Sequence, residues 1–124
     1  MQRKTFLKLT TALATGLLLN APAHAQTTTI NVAAFADFAG PYANVMPQMQ
    51  GGRLAVIEWW NKEVGSKLNV QIVVKTFDTR YDVAQTASLW PGVLATKPVI
   101  GLSLGGPDTS ALQQRLPTDK VPMI

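Results

Sequence analysis

The sequence predicts an α/β fold, a parallel sheet with flanking helices. Short runs rich in β-branched and apolar residues, at 28–36, 68–77, 99–104 and 120–124, alternate with longer stretches of helical spacing. Glycine, proline or aspartate punctuates the junctions, as at Gly40-Pro41, Gly65, Lys97-Pro98 and Gly105-Gly106-Pro107. Strands separated by helices pair in parallel, because a helical crossover returns the chain to its starting end.

Residues 1–25 read as an export signal. Arg3, Lys4 and Lys8 form a basic start without an acid, and residues 9–19 are apolar or small. Asn20 and Pro22 break that run, and Ala23-His24-Ala25 supplies the small-x-small cleavage site. The run is shorter than the ~20 residues of a comfortable membrane span. No cysteine follows it to carry a lipid. The mature protein, residues 26–124 here, is therefore expected in the periplasm and not anchored to the membrane.

The first strand, 28–36, turns from Thr-rich to wholly apolar and stops at Asp37, the pattern of a buried strand. Residues 37–42 form a loop around Gly40-Pro41. From about 44 to 63 the spacing is helical, with Leu54, Val56, Ile57 and Trp60 as the apolar set and Arg53, Glu58 and Lys62 free to face water. Pro47 falls in the first turn, where proline is tolerated. Gly51-Gly52 costs about 1 kcal/mol per residue in a helix relative to alanine, which suggests close backbone packing. Trp59 and Trp60 cannot both face inward, so one is assigned to the core. Gly65 and Ser66 are expected to end the helix.

Residues 68–77 alternate, with Leu68, Val70, Ile72 and Val74 on one face, the mark of a strand near the sheet edge. Asp82 is placed to cap a helix over about 83–96, which Pro91-Gly92 should kink or shorten. A third strand spans 99–104. Asp108 or Thr109 is expected to cap a third helix reaching about Leu116. Residues 120–124 begin a fourth strand. Because the chain ends there, it is expected to be the first part of a longer protein, unable by itself to bind ligand usefully or to unfold cooperatively.

The chain carries a net charge of +4, which at first suggests an anionic partner. Three of its eleven basic residues lie in the export signal, leaving eight against seven acids, or about +1 for the mature segment. Those eight are scattered singly, so nucleic-acid binding has no support. The sequence has no cysteine, and its single histidine, His24, leaves with the signal. A histidine triad, a cysteine nucleophile and nearly all transition-metal sites are excluded, and no cofactor is called for. No nucleophile–base pair is visible, so the reading is not an enzyme.

Open α/β sheets bind ligands beyond the carboxyl ends of their strands. Two loops qualify. One is Asp37-Phe38-Ala39-Gly40-Pro41-Tyr42, in which Tyr42 is the candidate contact. The other is Leu104-Gly105-Gly106-Pro107-Asp108, where the glycines let backbone approach a ligand. Both also read as ordinary strand-to-helix turns. The spacing of Gly101, Gly105 and Gly106 does not match a dinucleotide fingerprint, and no phosphate-binding Gly-Lys-Ser/Thr is present. Asp78 and Asp82 are weighed as a carboxylate pair, with capping as the simpler role for Asp82.

These residues resemble a known family. Thr29-Ile30-Asn31-Val32 through Ala39-Gly40-Pro41-Tyr42 looks like the opening of periplasmic substrate-binding proteins of the branched-chain amino acid (Leu/Ile/Val-binding) type. The stretch 52–61, with Gly52 followed by apolar residues, Glu58 and Asn61, resembles that family's first helix. Residues 67–78 resemble its second strand, Lys97-Pro98-Val99-Ile100-Gly101 its third, and Lys120-Val121-Pro122-Met123-Ile124 the strand that follows.

The resemblance implies a type I periplasmic-binding-protein lobe, incomplete in this chain, with residues 26–124 as the first part of the N-terminal lobe. It implies a receptor of two α/β lobes that traps a small solute between them and docks on the membrane subunits of an ABC transporter. It further implies that the loop after the third strand offers backbone N–H groups and hydroxyls to a ligand carboxylate. Here Leu104, Gly105, Gly106 and Asp108 occupy that loop, and Gly105 and Gly106 stand where amino-acid binders often carry serine. Val45 occupies a position where some members place a ligand-stacking tyrosine, and whether Tyr42 takes that role is left open by the resemblance. The implied ligand is an amino acid, amide, urea or another small polar solute. A ligand-sensing domain of a regulator or receptor is the alternative use of the same fold.

Overall fold

A computed structural model describes residues 26–124; the proposed cleavage residues Ala23 and Ala25 lie outside the described residues. In chain order the elements are β1 (Thr28–Ala36), α1 (Met46–Trp60), a π-helical turn (Asn61–Gly65), α2 (Ser66–Leu68), β2 (Val70–Asp78), α3 (Val83–Ala95), β3 (Ile100–Leu102), α4 (Gly106–Leu112) and α5 (Leu116–Asp119). The strands form one parallel sheet in the order β2-β1-β3. This is the expected α/β architecture with flanking helices. β1 is central and pairs with β2 along its whole length, from Thr28 opposite Val70 to Ala36 opposite Asp78. Beyond β3 the expected fourth strand begins. Met123 bridges Gly101 in parallel, and the Gly101 N–H donates to the Pro122 carbonyl at 2.9 Å.

Central position explains the composition of β1. Val32 through Ala36 are buried on both faces. Successive side chains of a strand point to opposite faces. Ala33 and Phe35 enter a core with Trp90, Val93, Leu112 and Val121. Phe35 meets Phe77 and Trp90 edge-on, with ring centroids 6.4 and 6.5 Å apart. Helix α1 lies on the other face. There Gln50 donates from Nε2 to Thr76 Oγ1 at 2.6 Å, and Thr76 stands in register with Ala34.

Helix α1 departs from the expected pattern. Its inner face is Met46, Gln50, Arg53, Ile57 and Trp60, of which Met46 and Gln50 are buried. Leu54 and Val56, expected in the core, are 43% and 65% exposed. Arg53, expected in water, is half-buried and donates to the Phe35 carbonyl at 3.4 Å and to Gln50 Oε1 at 3.3 Å. Its desolvation lowers its pKa from the ordinary guanidinium value. The inner face is partly polar because each polar group finds a partner there. Gly51 and Gly52 lie within the helix with open space around them, so they serve no close packing among the described residues. Trp60 is the half-buried tryptophan, and Trp59 is 59% exposed.

Gly65 does not stop the helix. The chain passes through the π turn into α2 and stops at Asn69, which is left-handed at φ 54°. Gly65 serves close approach instead: a Cβ there would lie 2.4 Å from the Val70 carbonyl oxygen and 2.8 Å from the Trp60 ring. The π turn brings Asn61 to the free edge of β2. Its amide donates to the Ile72 carbonyl and accepts from the Ile72 N–H, both at 2.8 Å. The side chain thus satisfies edge groups that would otherwise pair with another strand. We predict that Asn61→Ala destabilises the protein by about 1–3 kcal/mol, one ordinary hydrogen bond being worth about 0.5–1.5 kcal/mol. Urea unfolding checks this.

β2 sits at the sheet edge as its alternation predicts, with Ile72 and Val74 half-buried and Gln71, Val73 and Lys75 exposed. Leu68, read as part of that strand, belongs to α2 and is 61% exposed. Asp82 caps α3 as expected, accepting the Gln85 N–H at 2.6 Å. Pro91 neither ends nor shortens α3, which runs on to Ala95. The proline is exposed, while Trp90 and Val93 beside it are anchored in the core. The third helix starts earlier than expected, at Gly106 with Gly105 as its cap residue. It breaks after Leu112 before α5 begins.

Candidate functional site

The carboxyl ends of β1, β2 and β3 lie side by side, so the loops that follow them converge. Two buried aspartates shape the loops after β1 and β3. Asp37 closes β1 and is fully buried. One carboxylate oxygen accepts the Gly40 N–H, and the other accepts the Tyr42 N–H at 2.8 Å. Self-bonded turns of this kind are what aspartate favours after a strand. Gly40 is required here, since a Cβ would lie 2.5 Å from the Arg80 carbonyl oxygen and 2.6 Å from Asp37 Oδ1. The loop ends by presenting Tyr42, which is 43% exposed.

The loop after β2 is a tight turn. The Asp82 N–H donates to the Thr79 carbonyl at 3.0 Å, and the central residues Arg80 and Tyr81 have φ of 54° and 53°. Two positive φ values mark a type I′ turn, for which glycine and asparagine are the usual choices. A left-handed residue with a side chain costs about 1–2 kcal/mol. Asp78 braces the turn by accepting the Phe38 N–H at 3.1 Å and the Arg80 N–H at 3.2 Å. Asp78 and Asp82 therefore hold local backbone and form no paired acid site.

The turn delivers Tyr81 to the centre of the loop cluster. Its ring meets Tyr42 edge-on, with centroids 4.7 Å apart. It also lies on Gly105: a Cβ there would be 3.0 Å from the Tyr81 ring and 3.0 Å from its hydroxyl. The Tyr42 phenol beside it pushes the Tyr81 pKa above that of a free phenol.

In the loop after β3, Asp108 is fully buried in the first turn of α4. It does not cap the helix. Its Oδ2 reaches back to accept the Leu104 N–H at 2.8 Å, and its Oδ1 accepts the Thr86 hydroxyl of α3 at 2.9 Å. Ser103 Oγ accepts the Gly105 N–H at 3.0 Å. The Leu104 side chain packs against the core. Gly106 is exposed, with nothing within 4 Å of a Cβ built on it.

Of the candidate residues, Tyr42 and Gly105 are brought together through Tyr81, and Gly106 adjoins them on the open side. Leu104 and Asp108 lie beneath, the Leu104 N–H bonded to Asp108 and Asp108 bonded also to Thr86 of α3. Sequence reasoning passed over Tyr81. The available signal was an aromatic residue between a strand end and its helix cap, in a loop weighed only for its two aspartates. Among the described residues, no helix is long and apolar enough to cross a membrane, and no cluster of metal-ligating side chains occurs.

No family model matches the chain, and no curated protein matches it. Solved structures do. A fatty acid ABC transporter substrate-binding protein from Thermomonospora curvata is 25% identical, with a TM-score of 0.67 over 76% of this chain and 24% of its own. A possible leucine/isoleucine/valine-binding protein from Rhodopirellula baltica is 17% identical, with a TM-score of 0.68 over 79% of this chain and 27% of its own. A solute binding protein from R. palustris in complex with 4-hydroxybenzoate is 26% identical, with a TM-score of 0.60 over 77% of this chain and 26% of its own. The chain thus spans about a quarter of the length of the solved structures it matches. Residues 26–124 share, over the part that aligns, the fold of ABC-transporter substrate-binding proteins, the leucine/isoleucine/valine-binding kind among them.

Proposed function

We propose that the protein is an extracytoplasmic solute-binding receptor for an ABC importer, exported by residues 1–25, and that residues 26–124 are the first part of its N-terminal lobe. The carrying observation is the convergence of three loops at the carboxyl ends of parallel strands, in a fold shared with substrate-binding transport proteins. The solute is a small polar molecule: an amino acid, an amide or a carboxylic acid. Fatty acids, branched-chain amino acids and 4-hydroxybenzoate, as the similar proteins are described, all carry a carboxylate.

Tyr42, Gly105 and Gly106 line the site, while Leu104 and Asp108 hold its floor in place. A second lobe supplies the remaining contacts and closes over the solute, and the closed form engages the transporter's membrane subunits. Isothermal titration of the full-length mature protein against amino acids, amides and simple carboxylic acids tests this. Saturable binding of at least one solute is expected, and no binding across the panel overturns the reading.

A further inference from the structure

The loop cluster holds donors and rings, and its four aspartates all accept hydrogen bonds within the fold. Asp37 and Asp108 are fully buried, and their oxygens accept bonds from Gly40, Tyr42, Leu104 and Thr86. Asp78 and Asp82 are committed to backbone N–H groups. What is presented is a pair of phenols at right angles, Tyr42 and Tyr81, with an interplanar angle of 76°. Beside them lies the side-chain-free surface of Gly105 and Gly106. A phenol donates well to a carboxylate, and an aromatic face takes a flat ring in preference to a branched chain.

The backbone shows that Tyr81 is held in place at a cost. Two successive left-handed residues without glycine are needed to aim it. A side chain on Gly105 would press on it, with a Cβ 3.0 Å from its ring and hydroxyl. Resting on the receptor reading above, we propose that Tyr81 is a ligand-contacting residue that sets specificity. Its hydroxyl donates to the solute's carboxylate, and its ring selects an acid carried on a flat ring over a branched-chain amino acid.

The test uses the full-length protein with benzoate, octanoate and leucine as probes, and the variants Tyr81→Phe, Tyr81→Leu and Gly106→Ala. The wild type is expected to bind benzoate at least tenfold more tightly than leucine. Tyr81→Phe, which keeps the ring, should weaken benzoate and octanoate alike by about tenfold, the loss of one charge-assisted hydrogen bond. Tyr81→Leu should weaken benzoate about fivefold further and leave octanoate at the level of the Phe variant.

Gly106→Ala has room for its methyl group within the fold, so an unchanged melting temperature with at least tenfold weaker benzoate binding places the solute there. Variants that all bind benzoate within twofold of wild type overturn the proposal. So does a wild type that prefers leucine, although that result leaves the receptor reading standing. A wild type that binds no solute in the wider panel overturns both.

Discussion

Trp90→Ala is expected to destabilise the full-length protein by about 3–5 kcal/mol, the range for removing a large aromatic side chain from a packed core. Trp90 is fully buried and the largest such side chain among the described residues. It joins α3 to β1 through Phe35 and to α5 through a hydrogen bond from Nε1 to Asp119 Oδ2 at 2.7 Å. The alanine variant opens a cavity under the central strand and leaves Asp119 without that donor. Trp90→Phe retains most of the packing and loses the donor, so a cost of about 1–3 kcal/mol is expected. Urea unfolding of the two variants separates the terms. A loss below 1 kcal/mol for Trp90→Ala would show that the core is not built on this residue.

Asp108→Ala is expected to cost a comparable 3–5 kcal/mol. Hydrogen bonds to a charged group are worth about 1.5–3 kcal/mol each, and Asp108 accepts from the Leu104 N–H at 2.8 Å and the Thr86 hydroxyl at 2.9 Å in full burial. The only ion pair among the described residues is Lys62–Glu63, far along the chain from Asp108. Its carboxylate is therefore stabilised by directed hydrogen bonds and not by a cation. Without it the Leu104 N–H loses its acceptor inside the protein, and the Thr86 hydroxyl is left with the Asp82 carbonyl at 2.8 Å. Asp108→Asn should cost less, about 1–2 kcal/mol. Its carbonyl can still accept the Leu104 N–H, while its amide donates to a Thr86 hydroxyl turned to accept. Unfolding measurements on the pair check the order, and equal losses would show that hydrogen bonding does not set the cost.

The alternation of strand and helix was legible because its signals are local. An unbroken apolar run marks a central strand, as in β1, and alternation marks an edge strand, as in β2. The cap at Asp82 was legible for the same reason, since a cap and the amide it binds lie three residues apart. Errors arose where a residue's local preference met a distant partner. Gly65 reads as a helix stop, yet the chain needs it where helix and strand nearly touch. Arg53 reads as a surface cation, yet the Phe35 carbonyl and Gln50 receive it on the inner face.

The same division runs through the site. By itself the sequence determined the fold class, the three loops and the glycines of the third loop, because those rest on periodicity and on short-range turn chemistry. Tertiary structure alone decided which residues meet. Asp108 turns inward because Thr86, on another helix, offers a buried donor. Tyr81 reaches Gly105 and Tyr42 because parallel pairing sets the ends of β1, β2 and β3 side by side, and that proximity depends on contacts distant in sequence.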